Sequence, residues 1–228
     1  MFSYEDRCQR LTIKMASAGY DGILITGRSN CRYISGFTGS NGYILVTPSD
    51  LLLFTDFRYI EQAGSESPHM SIIRIRDGYR SLSETIEKFS LRSVAFEPNH
   101  ITYAEHKSVS ESLSGDVSFT PVLNIVEELR CEKDDFEIEI LSEAVRIADI
   151  AMKEAADSLE VGIRECDVSD VIEGALKSAG AIGTAFDTIV ASGPNSALPH
   201  HKAGNRLLYP FRIRMIDMWG DSLPACSR

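Results

Sequence analysis

The chain has 228 residues, of which 43% are apolar and 25% are charged. This balance is typical of a soluble globular protein and excludes a fibrous or largely disordered chain. The net charge of −10 at pH 7 argues against a nucleic-acid partner, because phosphate binding requires a basic surface. The length allows one large domain or two smaller domains.

The cysteines and the N-terminal segment indicate a cytoplasmic protein. Five cysteines are scattered along the chain without a C-x-x-C pair, so neither a zinc knuckle nor a disulfide framework is predicted. Charged residues are distributed through the N-terminal segment, which therefore lacks the apolar centre of a signal peptide. No apolar run approaches the ~18 residues that a membrane span requires. We expect reduced thiols, a cytoplasmic location and no membrane partner.

Helix and strand patterns alternate in the first part of the chain. A helix is predicted from Tyr4 to Ala18, with Gly19 as its stop, followed by a strand at Gly22–Thr26. The Gly-, Ser- and Asn-rich stretch that continues to Asn41 predicts a loop. The remaining predicted elements are a hairpin (43–47 and 51–55), strands at 71–75 and 94–96, and helices at 83–89 and 103–113. Mixed strands separated by helices predict an α/β layer of about five strands.

The pattern changes near residues 121–131, where long amphipathic helices begin. Asp134 can cap a helix that runs to Leu159, and a second helix is predicted between Gly162 and Gly180. A strand at 188–191 and a loop at 192–205 follow. We therefore predict two domains, at 1–128 and 129–228, in the α/β (α+β) class.

Several segments of the sequence are similar to the aminopeptidase P/prolidase family. They occur in unbroken order over residues 1–206, at 30–40 (NCRYISGFTGS), 54–59 (FTDFRY), 129–138 (LRCEKDDFEI), 186–193 (FDTIVASG) and 197–201 (ALPHH). The resemblance implies a creatinase-like N-terminal α/β domain followed by a partial pita-bread fold. It also implies a homodimer that acts on proline-containing peptides.

The chemistry implied by this resemblance uses two divalent ions, manganese or cobalt, bridged by a hydroxide that attacks the scissile carbonyl. Two neighbouring cations lower the pKa of the bridging water and stabilise the developing oxyanion. Hard divalent ions prefer carboxylate ligands, which also offset their charge. The family supplies two aspartates, one histidine and two glutamates for this purpose.

The resemblance assigns roles to individual residues of this chain. His200 matches a catalytic histidine that hydrogen-bonds the substrate at the scissile peptide, and Asp217 falls at the spacing of the first metal-binding aspartate. The residues expected to contact substrate are Phe186, which matches a position in the apolar pocket for proline, together with His201, Arg32 and Tyr33. The alternatives are a loop role for His200, a core role for Phe186, a solvated Arg32 and an incidental Asp217.

The sequence departs from the family after Asn205. Of the expected metal ligands, only the first aspartate has a counterpart in this chain, which is Asp217. One carboxylate cannot hold two hard divalent ions against water. We therefore expect no dinuclear site in this chain by itself, and an incomplete and inactive peptidase. A gene remnant and a cloning truncation are both compatible with the basic tail from Lys202 onwards.

Two other functions stay open from the sequence. One is a non-catalytic peptide- or protein-binding module derived from the same fold, and the other is creatinase-type C–N hydrolysis, which the same missing ligands would disable. The apolar strand expected at 213–219 would expose an unpaired edge, so we also expect poor solubility of the second half.

Overall fold

The computed structural model describes residues 3–209 and 214–221 of the chain. Two compact units, each mixed in helix and strand, divide between Asp134 and Asp135. The mixed α/β fold class is confirmed. Ile213 and the last part of the basic tail, residues 222–228, lie outside the described residues, so the predictions made for them stay untested.

The first unit is built on a six-stranded mixed sheet. Its strands are β1 (Gly22–Ile25), β2 (Gly42–Val46), β3 (Leu51–Thr55), β4 (Ser71–Arg74), β5 (Ser93–Phe96) and β6 (Ser118–Pro121). Its helices are α1 (Tyr4–Ser17), α2 (Arg28–Ser35), α3 (Ile60–Glu66), α4 (Arg80–Lys88), α5 (Tyr103–Ser112) and α6 (Ile125–Cys131). The strand order is β4-β3-β2-β1-β5-β6, with antiparallel pairing in β1-β2-β3 and parallel pairing elsewhere.

Both faces of this sheet are buried in separate apolar clusters. Ile23 of β1 belongs to the first cluster, whereas Leu24, its neighbour in sequence, belongs to the second. The same alternation holds in β2, where Ile44 and Leu45 enter different clusters. Successive side chains of a strand point to opposite faces, so a sheet covered on both sides reads as a continuous apolar run. This explains why β1, β2 and β3 were recognisable from sequence.

The loop predicted between Thr26 and Asn41 is wrong in its first part, because residues 28–35 form α2. The polar residues that suggested a loop are buried and hydrogen-bonded. The Ser35 hydroxyl donates to the Cys31 carbonyl at 2.7 Å, and the Asn30 amide donates to Glu97 at 2.6 Å. A local hydrogen bond within α2 and a tertiary hydrogen bond to Glu97 therefore satisfy polar side chains of a helix whose composition favours a turn.

The sheet also contains one strand more than the sequence suggested. The missed strand, β6, pairs in parallel with β5 and ends at Pro121. Proline cannot donate to a strand ladder and is confined to edges and strand ends, so its presence lowered the strand signal. The position of β6 at the end of the strand order agrees with this restriction.

The second unit begins with two long helices, α7 (Asp135–Asp157) and α8 (Glu165–Ser178). Four short strands follow, which are β7 (Gly183–Thr184), β8 (Ile189–Ser192), β9 (Arg214–Asp217) and β10 (Gly220–Asp221). All of β8 is buried, and it pairs antiparallel with β9, whereas β7 pairs with β10. A single 3₁₀ turn at Gly193–Ala197 opens the loop after β8.

The two predicted helices of this unit are confirmed, and one apolar cluster joins them to β8. Ile147 of α7, Ile172 of α8 and Val190 of β8 are all buried in this cluster. None of the described helices is long and apolar enough to cross a membrane. The predicted domain boundary at 128/129 falls within α6 and stays a prediction.

Two glycines with the same backbone conformation allow a test of packing at the start of the chain. Gly36 ends α2 at φ +80°, and an added Cβ would lie 2.8 Å from the Tyr4 ring. Gly19 follows α1 at φ +82°, and an added Cβ would contact nothing within 4 Å. We expect Gly19→Ala to lower the free energy of unfolding by about 1 kcal/mol, the cost of the left-handed conformation. Gly36→Ala should cost about 1–3 kcal/mol more, because it adds overpacking.

Chemical denaturation of the two variants measures this difference directly. Equal losses of stability would contradict the close packing of Gly36 against Tyr4.

Limited proteolysis tests the expected difference in stability between the two units. We expect cleavage after about residue 130 and survival of a resistant N-terminal fragment, because the six-stranded sheet is covered on both faces whereas, among the described residues, β8 pairs with β9 alone. Mass spectrometry of a trypsin time course identifies the surviving fragment. Uniform resistance of the whole chain would contradict the expectation.

Candidate functional site

A cavity of about 410 Å³ lies in the second unit, between the start of β8 and the loop that follows it. It is lined by Phe186, Asp187, Ile189, Pro199, His200, His201, Lys202 and Asp217. The structure thus brings together the four residues of this unit that the sequence singled out. The antiparallel register of β8 and β9 places Asp217 directly opposite Ile189, which explains how residues distant in sequence share one cavity.

Apart from the buried Ile189, the side chains that line the cavity are accessible from solvent. Phe186 is 41% exposed, although an aromatic residue before a buried strand is usually buried as well. His200 and Asp217 are also exposed, whereas His201 is half-buried. An exposed aromatic ring can contact an apolar group of a ligand, and the neighbouring imidazoles and carboxylate can form hydrogen bonds with its polar groups.

The His201 ring is held by Glu165, the first residue of α8. The Glu165 carboxylate is fully buried and accepts from His201 Nε2 at 2.8 Å. It also accepts from the Ser192 backbone N–H at 2.7 Å and from the Ser192 hydroxyl at 2.8 Å. The Asn195 amide lies 3.1 Å from each carboxylate oxygen. One buried anion therefore accepts hydrogen bonds from three residues in the first part of the loop after β8.

These contacts lower the pKa of the Glu165 carboxyl group. Burial by itself raises the pKa, but the hydrogen bonds from His201, Ser192 and Asn195 stabilise the charged form and outweigh it. The position of Glu165 in the first turn of a helix also favours a negative charge. Glu165 is therefore ionised in the folded protein at neutral pH.

Among the described residues, the lining of the cavity includes two carboxylates. These are Asp217 and Asp187, and the Asp187 carboxylate lies 3.2 Å from the Lys202 ammonium. Asp221 follows on β10, which pairs with β7, so its backbone belongs to a different strand pair from Asp217. Two hard cations require more oxygen ligands than the described residues offer here.

Arg32 and Tyr33, the other predicted substrate contacts, belong to α2 of the first unit. Tyr33 is only 4% exposed, its hydroxyl donates to the Leu129 carbonyl at 3.2 Å, and the Arg7 guanidinium lies 4.0 Å from the centre of its ring. These surroundings are those of a core residue. Substrate contact by Arg32 and Tyr33 stays a prediction.

Within residues 3–209 and 214–221, one group of side chains has ligand atoms close enough to hold a metal ion. It consists of Glu97, His100 and Glu127, whose ligand atoms lie within 4.8 Å of one another in the first unit. The Asn30 amide nitrogen donates to Glu97 at 2.6 Å and to Glu127 at 2.7 Å, so an amide already links the two carboxylates. Burial raises the pKa of Glu97, opposed by donors from Gly27, Asn30 and Thr26. This network is satisfied by hydrogen bonds.

Comparison with known protein families assigns both parts of the chain. Residues 7–131 match the creatinase/prolidase N-terminal domain, and residues 139–226 match metallopeptidase family M24. The chain belongs to the Xaa-Pro aminopeptidase/prolidase family. Members of M24 use divalent metal ions, as the sequence analysis expects. The identity and the number of the ions stay predictions.

Individual relatives support this assignment. The chain is 37% identical over 222 residues to an uncharacterized peptidase, YqhT, of Bacillus subtilis, covering 97% of this chain and 63% of that protein. It is 30% identical to an Xaa-Pro dipeptidase of Pyrococcus furiosus, covering 94% of this chain and 60% of the relative. The chain thus spans less than two thirds of the length of these relatives.

Solved structures show the same fold. An Xaa-Pro dipeptidase from Bacillus anthracis superposes with a TM-score of 0.91 at 32% identity, over 96% of this chain and 62% of that chain. An X-Pro aminopeptidase from Thermotoga maritima superposes with a TM-score of 0.80 at 31% identity, over 94% of this chain and 61% of that chain. The creatinase-like domain and the partial pita-bread fold are confirmed.

Sequence reasoning did not find Glu165. A glutamate at the start of an amphipathic helix normally interacts with the helix N-terminus and solvent, so its identity alone carries no site signal. The sequence signal was the polar composition of residues 192–205. This segment contains the hydrogen-bond donors Ser192, Asn195 and His201 but no acidic residue to accept from them. A buried acceptor elsewhere in the chain satisfies these donors.

The lowered pKa of Glu165 predicts a specific pH dependence of stability. A carboxyl group whose folded pKa lies below its unfolded value stabilises the fold above that unfolded value, about 4.5, and loses this effect as the pH falls through the folded pKa. At neutral pH we expect Glu165→Gln to lower the free energy of unfolding by about 1–3 kcal/mol, because the buried donors lose a charged acceptor. The difference from wild type should shrink below pH 4.5.

Glu143→Gln provides the control, since Glu143 pairs with Arg146 on the exposed surface of α7. Salt should abolish the effect of Glu143→Gln and leave that of Glu165→Gln largely intact. Denaturant titrations between pH 3 and pH 8 measure both. A Glu165→Gln effect that is independent of pH would contradict the ionised network.

Proposed function

We propose that the chain supplies the peptide-facing wall of an Xaa-Pro peptidase. The observation that carries this proposal is the shared cavity of Phe186, His200, His201 and Asp217. Relatives described as Xaa-Pro dipeptidase or X-Pro aminopeptidase, which cover almost the whole of this chain, support the substrate class. The expected homodimer and cytoplasmic location belong to the same proposal.

The side chains of the cavity suit a peptide that contains proline. A proline residue has no backbone N–H, so its recognition depends on apolar contact with the pyrrolidine ring. The exposed ring of Phe186 offers such a contact. The His200 imidazole can donate a hydrogen bond to the carbonyl oxygen of the bond that precedes proline, and the exposed position of His200 gives a peptide access to it.

Hydrolysis in this family requires metal ions, whereas contact of a peptide with the cavity does not, so the two properties are considered separately for this chain. The resemblance to the family implies two ions, manganese or cobalt, and Asp217 is the one cavity residue assigned to them. The described residues do not fit such a pair of ions, so no hydrolytic step is derived from them. We propose that the 228-residue chain by itself binds proline peptides without cleaving them.

A non-catalytic binding module is the second candidate function, because the described residues that line the cavity include only two carboxylates. The two candidates differ in the peptide that they select. A peptidase wall should prefer proline at the second position of a peptide, whereas a module with a new role need not keep that preference.

We expect the chain to release no product from Ala-Pro or Ala-Pro-Ala with either Mn²⁺ or Co²⁺ present, because the described residues of its cavity offer too few metal ligands. We expect it to bind Ala-Pro-Ala at least fivefold more tightly than Ala-Ala-Ala, with no change on addition of EDTA, because about 1 kcal/mol of apolar contact depends on the proline ring. Chromatography of products and calorimetric titration measure these properties. Hydrolysis that is abolished by EDTA would contradict the proposal.

Phe186→Ala and Ile182→Ala form a matched pair for this experiment, since both remove a large exposed apolar side chain and only Phe186 lines the cavity. Phe186→Ala should abolish the preference for proline, whereas Ile182→Ala should preserve it. Equal binding of the two tripeptides by the unmodified chain would favour the binding module.

A further inference from the structure

We infer that Glu165 is a positioning residue that fixes the loop carrying His200. The inference rests on the proposed function, which gives His200 a contact with the bound peptide. Peptide binding would then depend on a buried residue of α8 that holds the loop in the geometry needed for this contact.

The contacts of Glu165 span residues 192–201, the first part of the loop after β8. Ser192, at the end of β8, donates twice to one carboxylate oxygen, at 2.7 and 2.8 Å. His201, nine residues further along the chain, donates to the second oxygen at 2.8 Å. Asn195 donates between them, at 3.1 Å. The carboxylate thus fixes both ends of the segment that contains His200.

A role in the core alone does not explain a glutamate at this position. Burial of a carboxylate costs desolvation free energy that an apolar residue of similar size would avoid. A helix start can also be stabilised by an exposed acid, and Asp167 already does so through the Arg164 backbone N–H and guanidinium. The donors to Glu165 come instead from the loop, which indicates that the carboxylate serves the loop.

His200 depends on this arrangement because its own side chain has no hydrogen bond within the part of the chain that the structure describes. It is exposed and follows Pro199, whereas His201, the next residue, is held by a buried acceptor. Ordering a loop when a ligand binds costs conformational entropy, and a loop ordered in advance avoids that cost. Glu165 therefore raises peptide affinity without contacting the peptide.

The same hydrogen bond determines which nitrogen of His201 carries a proton. Nε2 donates to Glu165, so the neutral ring has its proton on Nε2, and Nδ1 is an acceptor. This assignment gives the positioning role a spectroscopic signature that general stabilisation of the fold would not produce. The signature is an Nε2-bound proton of His201 that is protected from exchange with water.

Glu165→Gln tests the inference, with Asp167→Asn as the matched control in the same turn of α8. The glutamine oxygen can still accept from Ser192, but its amide nitrogen cannot accept from His201 Nε2–H. We expect Glu165→Gln to weaken Ala-Pro-Ala binding about tenfold, to speed exchange of the Ser192 amide at least tenfold, and to abolish the protected His201 proton. Asp167→Asn should leave all three unchanged. NMR titration and hydrogen exchange measure them.

His201→Ala provides a second route if Glu165→Gln fails to fold. It removes the donor instead of the acceptor, so it should speed exchange of the Ser192 amide to a similar extent, a readout that is separate from the peptide contact expected of His201. If both variants fold, the Ser192 amide should exchange no faster in the double variant than in either single variant, because both changes break the same hydrogen bond. Additive increases in exchange in the double variant would overturn the inference.

The remaining outcomes separate the inference from the proposed function. Unchanged affinity and unchanged Ser192 exchange in Glu165→Gln would overturn the positioning role while leaving peptide binding intact. If the unmodified chain does not bind Ala-Pro-Ala, the proposed function fails. The exchange of Ser192 and the His201 proton then decide by themselves whether Glu165 fixes the loop.

Discussion

A buried carboxylate requires hydrogen-bond donors around it. The second unit of this protein is organised around such a carboxylate. Glu165 is fully buried at the start of α8, where the helix N-terminus favours its charge. Donors from Ser192, Asn195 and His201 reach it from the loop after β8. The loop can therefore have a defined shape although most of its residues are exposed. The cavity beside His200 depends on that shape.

The apolar framework around this network was largely predictable from sequence. β1, β2 and β3 are continuous apolar runs because the six-stranded sheet is buried on both faces. The long helices α7 and α8 show the periodicity of a single buried stripe, and their shared cluster with β8 explains it. In these elements the local sequence pattern and the tertiary packing favour the same structure, so the pattern alone predicts them.

The errors of the sequence reading lie where polar groups are buried. α2 contains Asn30 and Ser35, which favour turns when exposed but are hydrogen-bonded in the interior here. Glu165 was overlooked for the same reason, because nothing local indicates that a helix-initial glutamate will meet donors about thirty residues away. Such partners become visible only when the fold is known. By contrast, the grouping of Phe186, His200 and Asp217 followed from a family resemblance that carries tertiary information.

We propose that the cavity of the second unit receives a peptide and that the described residues around it cannot hold a pair of metal ions. Electron paramagnetic resonance of the 228-residue chain titrated with Mn²⁺ measures whether such a pair binds. We expect a spectrum of solvated or weakly bound single ions, unchanged in Asp217→Asn. A spin-coupled pair of Mn²⁺ ions that is lost in Asp217→Asn would contradict the proposal.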